Sequence, residues 1–299
     1  MYTNVLVAIN GLSGDRDAIA LAKALGAAHG PGDARLALVN VRLLDAVPAR
    51  GSNGPFEISE TDASHELLER QRRAFAEGAE VVSVAALSVG RGLHQVAEDR
   101  GADLIVVGGC RRGPVGRVLA GDDTRAALHH APCAVAVAPA GYGAGATPIT
   151  TIGVAYDTSE ESEVALAHSA LLAGELGAKL RVREVIELHV YGAAGWASAA
   201  TMIDDPDAVA AAAQERIGSI PGAEIDVALG PILIELAGLS SEVDLLVCGS
   251  RQEGAAKRVL LGSTSDYLSR HAKSPLLVTP ARDAIHVAAW HELREGAAV

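Results

Sequence analysis

The chain has 299 residues, 49% hydrophobic and 21% charged, with a formal net charge of −12, enough for two domains that each bury a core. That charge argues against a broad nucleic-acid surface, which needs clustered Lys and Arg, and no apolar run of about 18 residues or more provides a membrane span. Cys110, Cys133 and Cys248 form neither a CxxC pair nor a metal-ligand spacing, which suits a reducing compartment. Met1-Tyr2-Thr3-Asn4 runs straight into an apolar strand without the regions of a signal peptide, so the expected location is the cytoplasm.

Taken in order, the elements occur twice. A short apolar strand ends in Asn10 or Asp157 (Val5–Asn10, Ile152–Asp157), and an Ala/Leu-rich helical pattern follows (Asp15–His29, Ser159–Leu176). A second strand comes at Ala34–Val41 and Lys179–Ile186, and a third at Val81–Leu87 and Glu224–Leu229. After a further helix come Asp103–Gly108 and Asp244–Gly249. From there the copies stay 141 residues apart: Gly108 with Gly249, Gly113 with Gly254, Arg117 with Arg258, Gly121 with Gly262, and Pro139 with Pro280. Strands alternating with helices indicate βαβ units, and continuous Val/Ile/Leu runs indicate strands covered on both faces. The expected fold is two tandem α/β domains, each a doubly wound, five-stranded, Rossmann-like parallel sheet. The expected boundaries are 1–146, 147–281 and a tail, 282–299, whose Ile285, Ala288, Trp290 and Leu293 suit a short amphipathic turn. Gly141–Pro148 reads as a linker, and Leu43–Thr61 and Tyr191–Pro206, the latter with Trp196, read as loops. The last strands, Cys133–Ala138 and Pro275–Thr279, are expected to join the halves as a pseudo-twofold pair, because an unpaired edge seeks a partner.

In an open α/β sheet the ligand crevice lies at the carboxyl ends of the strands, where strand order reverses. This places Asn10 beside the loop after Gly108, and Asp157 beside the loop after Gly249. Gly262-Ser263-Thr264 precedes a helix whose free N–H groups and dipole favour an anion. The residues alone leave two readings open there, a phosphate cradle and a simple helix cap.

The pattern of strand, Gly-rich loop, Gly-Ser and helix, found in both halves, resembles the universal stress protein domain, whose nucleotide-binding members carry G-x2-G-x9-G-[S/T]. The resemblance implies an adenine nucleotide such as ATP, favoured in the second half by Asp157, Gly249, Arg251, Gly254, Gly262, Ser263 and Thr264, with Ala155 and Val185 near the adenine. In the first half Gly108 and Gly121 match, Ala8 and Val41 fall near the adenine, and Gly113, like Gly254, recurs two residues past the second Gly position, but Asn10 replaces the Asp. Arg111 stands for the second Gly and Asp122 for the Ser/Thr, and Gln252 departs from the second Gly in the second half. The resemblance further implies unknown protein partners and a homodimer of chains.

Asp122 and Asp123 suit a helix start, and Arg111, Arg112 and Arg117 suit a solvated face or pairing with them. His129, His130 and His271 fall late in matching helices, where a cation is favoured, and no further ligands suggest a metal. Cys110, beside Arg111, lacks a resolving thiol. No nucleophile elbow, Walker loop, GxGxxG after a strand or HExxH occurs, so no catalytic residues are expected. Alongside a nucleotide-regulated, non-catalytic protein stand two alternatives: a nucleotide-free partner-binding module, and a weak adenine-nucleotide hydrolase by analogy of fold.

Overall fold

The computed structural model describes residues 2–26, 34–44, 55–109, 122–145, 147–187, 206–217, 220, 222–250, 259 and 262–281. The first half contains β1 (Asn4–Ala8), α1 (Gly14–Gly26), β2 (Arg35–Leu43), α2 (Pro55–Phe75), β3 (Glu80–Ala86), α3 (Val89–Arg100), β4 (Leu104–Gly108), α4 (Asp122–Leu128) and β5 (Ala134–Ala138). The second repeats this as β6 (Thr151–Tyr156), α5 (Glu160–Leu176), β7 (Lys179–Ile186), α6 (Pro206–Ile217), β8 (Ala223–Leu229), α7 (Ile232–Leu239), β9 (Leu245–Gly249), α8 (Ser263–His271) and β10 (Leu276–Thr279).

The strands form one ten-stranded sheet, ordered β3-β2-β1-β4-β5-β10-β9-β6-β7-β8. Every neighbouring pair is parallel except β5–β10. There Leu276, Leu277 and Val278 face Val137, Ala136 and Val135. Ala136 and Leu277 lie 141 residues apart, the repeat offset itself, so a pseudo-twofold axis runs through that pair. The join at the last strands is the one expected from their short, apolar edges.

Burial explains the apolar strands. One face packs under α1, α2 and α5 through Ile19, Leu25, Leu68, Leu166 and Leu172. The other packs under α3, α4, α7 and α8 through Leu93, Leu128, Leu239 and Leu268. An aspartate fixes the entry of each half: Asp103 accepts from Thr3 N (2.7 Å) and Asn4 N (3.1 Å), and Asp244 from Thr150 N (2.9 Å) and Thr151 N (3.0 Å). Each carboxylate thus satisfies strand-start N–H groups that a neighbouring strand leaves unpaired.

One expected loop is partly helical: Leu43–Thr61 overlaps α2 from Pro55 onward, whereas of Tyr191–Pro206 only Pro206, the first residue of α6, lies among the described residues. In both cases proline occupies the first helical position, where its missing N–H costs nothing. Pro55 opens a helix where Gly and Pro content had suggested only a loop. The first helix is described through Gly26, and the rest of the expected Asp15–His29 lies outside the described residues, as do Trp196 and the tail's Ile285, Ala288, Trp290 and Leu293.

The expected linker is also more ordered than its composition suggested. Tyr142–Ala144 forms a 3-10 turn docked on α1, whose buried Asp17 accepts from Gly141 N (2.9 Å) and Gly143 N (2.8 Å). Further ties between the halves are the buried pair Tyr2 hydroxyl and His168 Nδ1 (3.4 Å) and an antiparallel bridge, Ala131–Val259.

Gly108 and Gly249 end β4 and β9 against the first turn of α1 and α5. A Cβ at Gly108 would lie 2.4 Å from Gly14 O, and one at Gly249 2.4 Å from Glu161 O. Such overlap forces backbone to move. Gly108→Ala and Gly249→Ala should therefore each lose roughly 2 kcal/mol or more of stability in urea unfolding. Gly174→Ala on α5, with nothing near its Cβ position, should gain about 0.5–1 kcal/mol. A neutral Gly249→Ala would show that the close approach is not needed.

Candidate functional site

Strand order reverses between β1 and β4 and again between β6 and β9, which sets one crevice at the carboxyl end of each half. Because the halves run antiparallel, the crevices open at opposite ends of the sheet.

The loops after β1 and β6 share one turn. Asn10 Oδ1 accepts from Leu12 N (3.0 Å), and Asp157 Oδ1 from Ser159 N (3.1 Å) and the Ser159 hydroxyl. Both are side-chain turns closed two residues on, so Asn10 and Asp157 do the same local work despite their difference in charge. Asp157 is exposed at the mouth of its crevice.

Five residues beyond Asn10 the halves diverge. Asp15, 2% exposed, accepts from Asn10 N (3.0 Å) and Gly11 N (2.9 Å), so the first loop closes around a carboxylate of its own chain. Burial pushes its carboxyl above the usual range, against the two backbone N–H groups and the charge of Arg70. At the equivalent position, 147 residues on, the neutral Ser162 donates to Ser159 O (2.9 Å), and the carboxylate of the second loop is instead the exposed Asp157.

The helix starts differ as well. Thr124 on α4 donates to Gly108 O (3.3 Å), whereas its counterpart Ser265 accepts from Gly262 N (2.9 Å) and fastens the start of α8. Ser263 is exposed at the first position of α8, with Thr264 behind it. Asp122 begins α4. Gly113, Gly121, Arg251 and Gly254 lie outside the described residues, together with Cys110, Arg111, Arg112, Arg117 and Gln252.

The positions expected near adenine share the α3/α7 face of the sheet: Ala8 with Val41, and Ala155 with Val185. Beside them lies a difference that sequence reading missed. The cross-strand pair Val39–Val82 of the first half becomes Arg183–Asp226 in the second, 144 residues on. Arg183 Nε donates to Asp226 (2.7 Å), and its Nη1 donates to Glu235 O (3.3 Å) under α7. Arg181 joins Asp226 (3.0 Å) and Glu242 (2.6 Å). The missed signal was an Arg-x-Arg in a strand flanked by Glu-x-Asp in the next, at matching register.

At the twofold, Arg125 and Asp266, equivalent positions 141 residues apart, form an ion pair (3.1 Å) beside a cavity of about 440 Å³ that also meets His129, Gly262 and Ser263. The Arg270 guanidinium beside Asp266 holds that carboxyl below its ordinary value. A larger cleft, about 850 Å³, opens at the opposite end of the first half between Asn4, Lys23, Arg35 and Glu80, away from both crevices. His271 Nδ1 contacts Tyr267 O (2.9 Å) within α8, while His129 and His130 form the turn after α4. Among the described residues no His, Cys, Asp and Glu group could hold a metal. Burial raises the Cys133 and Cys248 thiols to about 12, which leaves both protonated and unreactive near neutrality. No helix among the described residues is long and apolar enough to cross a membrane.

The universal stress protein family model matches residues 1–139 and 148–280. The chain is 28% identical over 235 residues to Universal stress protein Rv2319c of Mycobacterium tuberculosis, across 73% of this chain and 78% of that one. Its fold matches a universal stress protein from Archaeoglobus fulgidus (TM-score 0.65, 17% identity, 93% of this chain and 98% of that one). It also matches PA1789, a functionally unknown protein of Pseudomonas aeruginosa (TM-score 0.58, 17% identity, 99% and 98%).

Asp15 predicts a pH dependence with a definite sign. Its folded pKa lies above its unfolded one, so its contribution is fully present below about pH 4 and declines as pH rises through the folded value. The stability gap between the wild type and Asp15→Ala should therefore narrow from pH 4 toward pH 7 in urea titrations. A gap that widens with pH would mean that the backbone N–H groups outweigh burial.

Proposed function

This chain belongs to the universal stress protein family, and on that premise we propose that it is a non-catalytic binding protein whose second crevice takes an adenine nucleotide, which tunes its contacts with partner proteins. The observation that carries this reading is the asymmetry between the crevices. In the first, Asp15 already fills the loop after β1 with negative charge. In the second, neutral Ser162 and Ser263 stand where the first half has Asp15 and Asp122. A phosphate is repelled by a fixed carboxylate and favoured by hydroxyls at a helix start.

The donor set of the second half fits such a ligand. Ser263, Thr264 and the first N–H groups of α8 would meet the phosphates, Asp157 the ribose side, and Ala155 and Val185 the base. Gly249 contributes by letting α5 close on β9 rather than by touching the ligand. One observation favours the rival, nucleotide-free reading: the Asp157 carboxylate is already engaged by Ser159.

Mass spectrometry of small molecules released from purified protein should find an adenine nucleotide, and calorimetry should detect ATP binding. Ser263 separates charge from hydrogen bonding. A carboxylate ~4 Å from a phosphate costs about 4 kcal/mol at an effective dielectric near 20, while losing one hydroxyl costs about 1 kcal/mol. Ser263→Asp should thus weaken ATP far more than Ser263→Ala, with added salt narrowing the difference. Equal affinities would remove the phosphates from this helix start, and no binding at all would leave the partner-binding module as the reading.

A further inference from the structure

Six large apolar side chains stand exposed among the described residues, and four of them, Leu12 (65%), Leu43 (59%), Leu44 (47%) and Leu87 (61%), belong to one end of the first half. Single exposed leucines are ordinary, whereas an apolar group gathered on one surface marks a contact. The backbone sets these four at the ends of three neighbouring strands, β1, β2 and β3. Leu43 is level with Ala86 in the β2–β3 register, and Leu44 N donates to Ala86 O (2.9 Å), so both lie beside Leu87. Ile9 N donates to Val39 O (2.8 Å), which brings the loop carrying Leu12 out beside the same end of β2. Leu67 of α2 packs under that loop, 3.5 Å from where a Gly11 Cβ would stand.

The second half has no such rim. Leu12 corresponds to Ser159, 147 residues on, and Leu43 and Leu87 correspond to Glu187 and Pro231, 144 on. The register beneath is the same, Arg42 level with Ala85 and Ile186 with Leu229, so the frame does not need the leucines. Asp15 fills the loop below Leu12, so the end that disfavours a phosphate is the end that carries them.

Charge identifies what would cover the rim. The outer part of α2 is held over it by Ser64, whose hydroxyl donates to Asn40 Oδ1 (2.7 Å). Glu60, one turn beyond Ser64 on the same face, is an exposed carboxylate, as are Asp62 and Glu66 beside it. The arginines of α2 begin at Arg70, a turn further from the rim than Glu66. Arg42 is turned to the Ser83 hydroxyl (3.2 Å), which leaves Arg91, four residues past Leu87, as an exposed base against three acids.

We propose that this leucine rim is where the first half takes a partner protein. The partner offers an amphipathic segment: its apolar face meets the leucines, and its Lys or Arg side chains meet Glu60, Asp62 and Glu66. This rests on the partner-binding side of the reading given above and not on the nucleotide.

The test titrates the full-length chain against two labelled synthetic helical peptides, one of leucine and lysine and one of leucine and glutamate, by fluorescence anisotropy. The Leu/Lys peptide should bind and the Leu/Glu peptide should not. Leu12→Ser combined with Leu87→Ser should weaken binding by about tenfold or more, the loss of two half-exposed leucines from the contact. Glu60→Gln combined with Asp62→Asn should weaken it about threefold and flatten its salt dependence. These side chains already face water, so the urea midpoint of each variant should stay at the wild-type value. Ile234→Ser, at the exposed apolar residue of α7, should change nothing. Unchanged affinity in the leucine variant, or an equal loss in Ile234→Ser, reduces the binding to a general attraction of an acidic chain for a basic peptide and overturns the proposal. Equal binding of both peptides overturns it too. So does a wild-type dimer in sedimentation that the leucine variant dissociates, since a second copy is then the occupant. A chain that binds ATP but no peptide loses only the rim, and one that binds the peptide but no ATP loses only the nucleotide.

Discussion

The antiparallel contact between β5 and β10 is the constraint on which the arrangement of this chain depends. Each five-stranded sheet, built from right-handed crossovers, would otherwise expose a row of unpaired backbone groups at its last strand. Pairing the two edges satisfies both rows and buries β5 and β10 completely. The contact sets equivalent residues against each other, Ala136 against Leu277. The features around the axis obey the same symmetry, including the Arg125–Asp266 pair. There the symmetry is broken by charge, since two copies of either half would oppose like charges at that spot.

The antiparallel join also separates the crevices. With one at each end of the sheet, neither constrains the other, and the halves diverge without disturbing their common frame. The frame is repeated nearly atom for atom: Asp103 and Asp244 at the strand starts, the turns at Asn10 and Asp157, the close approaches at Gly108 and Gly249. The differences concentrate around the crevices. Asp15 gives way to Ser162, Gly109 to Ser250, and the apolar Val39–Val82 pair to Arg183–Asp226. In the second half Arg183 is buried while Asp226 stays partly exposed, and the guanidinium is braced by Glu235 O and Glu242, so the buried cation depends on all its partners.

Strands and their order were legible in the sequence because burial on both faces leaves an unbroken apolar run, and repetition of that run confirmed each element. The start of α2 was not legible, since Pro55 sits in a Gly/Pro-rich stretch whose composition fits a loop as well as a helix entrance. Asp17 reads as an ordinary first-turn acid on α1. Its bonds to Gly141 and Gly143 depend on contacts 124 and 126 residues away, which no local pattern encodes. Of the site, the contrast between Asp122 and Ser263 could be read from alignment of the halves alone. The filling of the first loop by Asp15 could not, because an acid near a helix start is expected whether it faces solvent or closes a loop. That Gly108 and Gly249 allow a close approach could be read from the sequence, but not what approaches: at both, the backbone at the start of α1 or α5 takes the space a Cβ would need.

Joining β5 to β10 has a consequence for assembly. The contact that would pair last strand with last strand between separate molecules is here satisfied within one. Among the described residues, the outermost strands of the sheet are β3 and β8. A second copy that added itself to either would still present the other, so growth by strand addition would be open-ended and filament-forming rather than closed. Glu80 on β3 and Glu224 on β8 lie exposed on those rims, each held by an arginine of its own half, Arg100 and Arg181, which an added strand would meet first as charge.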